Sequence, residues 1–69
     1  MNDLGATIKH LRTENKMTQP DLAKIIGVSN GMISFWENNV CEPTASNIIK
    51  LCQVFDVSAD YLLGLKDEG

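Results

Sequence analysis

One punctuation mark, used four times, limits what this chain can fold into. Met17-Thr18, Val28-Ser29, Pro43-Thr44 and Val57-Ser58 each set a hydroxyl residue behind an apolar residue or a proline, and four places beyond each hydroxyl stands Leu22, Ile33, Ile48 or Leu62. A Ser or Thr so placed accepts an orphan backbone N–H at the start of a helix, while the residue before it packs on the one four places after it. Each mark therefore predicts a helix. A further helix precedes them, because Leu4, Ile8 and Leu11, with Asn15 one step on, recur at helical spacing over residues 3–15. No segment alternates apolar and polar residues as a strand does. The predicted fold is all-α, a compact bundle of five short helices, with residues 1–65 as one domain and residues 66–69 as a frayed tail.

The helix bodies agree with their caps. Leu22, Ala23, Ile25 and Ile26 make the apolar stripe of the second helix, Pro20 falls in its first turn, and Gly27 suits the left-handed position that ends it. Ile33 and Trp36 make the stripe of the third, which Asn39 can end in the same left-handed way. Ile48, Leu51, Cys52 and Phe55 fill one face of the fourth, with Lys50 and Gln53 opposite.

Size and composition remove whole classes of function. A 69-residue chain hides only about 60% of its unfolded surface, so an enzyme with its own substrate cleft is not expected, and no nucleophile–base or carboxylate pair has supporting spacing. No apolar run approaches the ~20 residues of a membrane span, which places the chain in the cytoplasm. Cys41, Cys52 and His10 cannot complete a four-ligand zinc set, so neither metal nor cofactor is expected. A single disulfide is conceivable, but the compartment argument favours two thiols, Cys52 in the core and Cys41 in a loop. The net charge of −3 is unevenly spread. Residues 1–36 carry four cations against three acids, and residues 37–69 two against six. Such a lopsided field can orient a domain on DNA despite an unfavourable total.

Only Gly27 and Val28 separate the second helix from the cap of the third, and so tight a turn forces the two to cross steeply, as in a helix-turn-helix. In that arrangement the second helix of the pair enters the major groove. Thr18-Gln19 with Leu22-Ala23, then Gly27-Val28-Ser29-Asn30, Ile33-Ser34, Trp36-Glu37, Pro43, and Val57-Ser58 with Asp60-Tyr61-Leu62-Leu63 resemble the Cro/phage-repressor, or Xre-type, helix-turn-helix family from about Leu4 to Leu65. The resemblance implies a lambda-repressor-like bundle that binds operator half-sites in double-stranded DNA, usually as a two-fold dimer, and regulates transcription, most often as a repressor, in bacteria, phages or mobile elements. It also implies that Gln19 touches phosphate and braces Asn30, and that Arg12 and Glu37 form a shielded ion pair.

Projected at ~100° per residue, the third helix turns Ser29, Ile33, Trp36 and Glu37 inward and Gly31, Phe35 and Asn38 outward, with Asn30 and Ser34 on the shoulder. The candidate DNA face comprises Lys9, Thr18, Gln19, Ser29, Asn30, Gly31, Ser34, Phe35, Asn38 and Asn39. Lys9, Arg12 and Lys16 make a basic strip on the first helix. Two departures from the family pattern weaken phosphate contact and readout: Gly31 has no side chain to read with, and the loop Asn39-Val40-Cys41-Glu42 lacks cations. Tyr61, Leu62, Leu63 and Leu65 are too apolar for so short a helix to bury alone, which marks them as a dimer interface. A second function fits the same fold, a protein-interaction module such as an antitoxin or regulatory subunit, in which Phe35, Val40 and the acidic second half engage another protein.

Overall fold

Capping chemistry sets every helix start. In the computed structural model, which describes residues 3–65, five helices follow one another: α1 (Leu4–Glu14), α2 (Gln19–Ile26), α3 (Asn30–Glu37), α4 (Ala45–Phe55) and α5 (Ala59–Leu62). Their caps are Asp3, Thr18, Ser29, Thr44 and Ser58, each accepting an N–H from the residue three places on. At α2 the cap is reciprocal, since Asp21 returns its carboxylate to the Thr18 N–H at 2.9 Å. No strand occurs among the described residues. The frayed tail expected at 66–69 lies outside them.

The helix ends are equally local. Gly27 takes φ 91°, and both its N–H and that of Val28 return to the Ala23 carbonyl, which halts α2 and turns the chain toward α3. Asn39 (φ 59°) and Asp56 (φ 54°) make the corresponding left-handed steps after α3 and α4. Lys50, on the outer side of α4, reaches across to donate to the Ile26 carbonyl at 3.2 Å. That ammonium caps the negative end of α2 and ties it to α4.

The core gathers Ile8 and Leu11 of α1, Leu22, Ala23 and Ile26 of α2, Ile33 and Trp36 of α3, Leu51 and Phe55 of α4, and Leu62 of α5. Each fully buried aliphatic side chain contributes roughly 1.5–3 kcal/mol. Two sequence expectations are corrected here. Ile25 is 54% exposed, because an eight-residue helix in a corner buries a stripe narrower than its run of apolar residues. Leu62 is wholly buried, so it is a core residue and cannot belong to a dimer interface; α5 turns it inward and leaves Leu63 and Leu65 exposed at 40% and 76%. Cys41 and Cys52 are free thiols, the first exposed and the second half-buried, where burial pushes the thiol pKa up.

Candidate nucleic-acid interface

Three fastenings hold α3 to the helices behind it. Arg12, at the end of α1, donates from Nε to Glu37 Oε2 at 2.6 Å and from Nη2 to Oε1 at 3.3 Å, and its Nη1 reaches the Met17 carbonyl at 2.7 Å. Both side chains are buried, and the bidentate geometry locks the last turn of α3 against α1. Arg12 is thereby removed from the expected basic strip, which leaves Lys9 and Lys16 exposed without it. Gln19 is the second fastening. Its Nε2 donates to Glu37 Oε1 at 3.0 Å, so the brace expected to run to Asn30 runs to Glu37 instead.

The third fastening lies at the other end of α1 and involves two residues whose roles sequence reasoning missed. Gly5 meets α3 backbone to backbone: a Cβ there would lie 2.5 Å from the Trp36 carbonyl oxygen and 2.6 Å from that of Glu37. Asn39 then closes the junction, its Oδ1 accepting from the Gly5 N–H at 3.2 Å and its Nδ2 donating to Asp3 Oδ1 at 3.3 Å. The Ala6 N–H and Asn39 together hold the Asp3 carboxyl below its ordinary pKa of 3.8. Asn39, placed on the candidate DNA face by sequence, thus spends its side chain within the chain. The one signal for Gly5 was a glycine a turn into a predicted helix, which is tolerated but disfavoured unless something packs close.

With its inner side fixed, α3 presents the remaining candidates outward. Asn30, Gly31, Phe35 and Asn38 are exposed, Ser34 is half-buried, and Phe35 leaves 48% of its surface open. Asn38 turns its Nδ2 back to the Ser34 carbonyl at 2.9 Å and to Ser34 Oγ at 3.3 Å. Because a carbonyl only accepts, the bond to the Ser34 carbonyl uses the amide nitrogen of Asn38 and not its oxygen. Ser29 and Thr18 give their hydroxyl oxygens to the N–H groups of Met32 and Asp21. Lys9 stands exposed on α1. α3 itself carries no Lys or Arg. Among the described residues no group of His, Cys, Asp and Glu is arranged to hold a metal ion, and no helix is long and apolar enough to cross a membrane.

The sequence profile of the helix-turn-helix family matches residues 8–62, which include α2, the Gly27 turn, α3 and α4. The chain belongs to this family. Its motifs place it with the Cro/phage-repressor type of helix-turn-helix, and its relatives agree. The repressor protein C2 of Salmonella phage P22 is 40% identical over 60 residues, covering 87% of this chain and 28% of that protein. The helix-turn-helix transcriptional regulator ImmR of Bacillus subtilis is 35% identical over 65 residues, covering 94% and 50%. Antitoxin PezA of Streptococcus pneumoniae is 34% identical over 61 residues, covering 88% and 39%. The chain therefore spans about a quarter to a half of these relatives. Among solved structures, the P22 c2 repressor in complex with a synthetic operator superposes with a TM-score of 0.89 at 36% identity, covering 96% of this chain and all of that one.

Proposed function

We propose that this helix-turn-helix chain is a small transcriptional regulator, most naturally a repressor, that binds operator half-sites in double-stranded DNA by laying α3 in the major groove, in the cytoplasm and without catalytic activity. The observation that carries the reading is the contrast between the two sides of α3. Its inner side is fastened by Glu37 and the Asn39 junction, while its outer side holds an exposed ring, Phe35, beside free polar groups on Asn30 and Asn38. The close similarity to a repressor bound to its operator supports it.

In this reading Asn30 offers its amide to adenine N6 and N7, Ser34 meets a base edge or a phosphate, and Phe35 lies against thymine methyls. Lys9 and Gln19 touch phosphate and carry no sequence information. Tyr61, Leu63 and Leu65 face a second copy at least on DNA, since one such domain buries only about 600–1,000 Å² there. Selection from random duplexes followed by binding measurements tests the assignment. Asn30→Ala should lose about 1–3 kcal/mol and relax preference at one base pair, whereas Lys9→Ala should weaken all sequences alike and flatten the salt slope by about one unit. Two chains per operator are expected in sedimentation of the complex.

The interaction-module reading is favoured by the similarity to an antitoxin and by exposed Val40 beside Phe35. It takes the place of operator reading if Phe35→Ala leaves DNA affinity untouched and abolishes association with a protein partner.

A further inference from the structure

Five asparagines stand among the described residues, and after four of them the chain ties up the next backbone nitrogen. The N–H groups that follow Asn15, Asn38, Asn39 and Asn47 reach the carbonyls of Thr13, Trp36, Phe35 and Thr44 at 2.8–3.2 Å. The side-chain nitrogens of Asn15, Asn38 and Asn39 are bonded as well, to Leu11, Ser34 and Asp3. Asn30 differs on both counts. It is the first residue of α3, it is exposed, and no hydrogen bond to its amide occurs among the described residues. The N–H after it belongs to Gly31, the second residue of the helix, for which a helix supplies no acceptor of its own. The Ser29 cap passes that N–H over and serves Met32 at 3.2 Å.

A free backbone nitrogen next to a free asparagine amide is a reactive pair. The Gly31 nitrogen can attack Cγ of Asn30, so that a new N–Cγ bond closes a five-membered imide and the bond from Cγ to the amide nitrogen breaks. The Gly31 proton leaves with that nitrogen as ammonia. Water then opens the imide at either carbonyl, which gives aspartate or, with the backbone rerouted through the side chain, isoaspartate. Helical geometry holds nitrogen and Cγ apart, so Asn30 must first leave its helical ψ. At the first turn of a helix such opening costs least. Glycine lowers the cost further through its backbone freedom and crowds the attacking nitrogen with no side chain.

We propose that Asn30-Gly31 is a self-modifying site, at which the chain's own backbone nitrogen converts Asn30 to aspartate or isoaspartate with loss of ammonia. The consequence for binding rests on the proposed operator reading. Aspartate at the start of a helix is favoured by the dipole, so that product keeps its fold. Its carboxylate has no N–H for adenine N7, and α3 holds no Lys or Arg to offset the new charge beside DNA. Isoaspartate lengthens the backbone by a methylene and unseats the first turn of α3.

The test ages the full chain for days in mildly alkaline buffer and maps the digest by mass spectrometry, beside Gly31→Ala treated in the same way. A gain of one dalton should appear at Asn30 ahead of Asn15, Asn38, Asn39 and Asn47, as a mixture of aspartate and isoaspartate, and should be much slower in the variant. Asn30→Asp, made directly, should melt no lower than the parent and bind the selected operator about tenfold or more weakly. No gain at Asn30, a gain that comes first at another of these asparagines, or a Gly31→Ala chain that ages as fast as the parent overturns the site. Ageing at Asn30 with Asn30→Asp binding as tightly as the parent overturns its effect on binding. A parent that selects no duplex overturns operator binding, while ageing at Asn30, read without DNA, still upholds the site.

Discussion

Helix α1 has two neighbours held by different means. Toward α3 directional polar bonds are added to the packing: Asn39 bonds to Gly5 and Asp3 at one end, Arg12 bonds to Glu37 at the other, where Gln19 of α2 joins it, and the two backbones touch at Gly5. Toward α5 the contact is packing, with Leu62 buried, beside an open groove in which Leu11, Phe55, Val57 and Tyr61 alternate with Glu14, Asn15, Asp56 and Ser58. Apolar burial is non-directional and fixes how much surface is hidden. Hydrogen bonds and a bidentate ion pair also fix angle and register. The helix that the proposed function lays in the groove is the one held by directional bonds, and the end that keeps Leu63 and Leu65 exposed is the one held by packing.

Removing the strongest directional bond is the severest test of that contrast. Glu37→Ala leaves the Arg12 guanidinium buried without its partner and frees Gln19, and it should cost about 3–5 kcal/mol in denaturant unfolding. A loss under about 1 kcal/mol would reduce the pair to a surface contact. Gly5→Ala comes next. Of the three atoms its Cβ would meet at under 3 Å, two are backbone oxygens that cannot rotate away, so α1 and α3 must separate, at about 1–3 kcal/mol. Asn39→Gly sharpens the comparison by its sign. Glycine is the better residue at φ 59°, so a left-handed role alone predicts a gain. Loss of both side-chain hydrogen bonds predicts a net fall of about 1 kcal/mol, which a melt decides. Acid should act on the same junction, because a carboxyl held below its ordinary pKa lends stability above pH 4 and withdraws it as pH falls through the lowered value. At the packed end, Leu65→Ser should move stability by less than about 0.5 kcal/mol and lower the two-chain fraction on DNA, seen by sedimentation.

The sequence made some of this legible and left other parts out of reach for a physical reason. Caps were readable because a cap and the N–H it serves are three residues apart, as at Thr18 and Asp21. The outward ridge of α3 was readable because eight residues fix the phase of a helix. α5 has four residues, too few to fix a phase, so its apolar content alone does not separate buried Leu62 from exposed Leu63. Gln19 meets Glu37 across 18 positions and Asn39 meets Gly5 across 34. No local pattern records such partners; the packing of α2 and of α1 against α3 brings them together.

The lack of any cation on α3, with Glu42 in the loop behind it, also governs how an operator-binding chain spends its time before it arrives. Non-specific residence on duplex is almost entirely electrostatic, and it is what permits sliding. On the proposed operator reading, a chain whose groove helix brings no cation is expected to leave random sequence quickly, to search by many brief visits instead of long one-dimensional excursions, and to lose few of its copies to the roughly 10⁶–10⁹ competing sites of a genome. On the same reading, occupancy of an operator would depend on the fit of one helix surface, and a small number of copies would hold it.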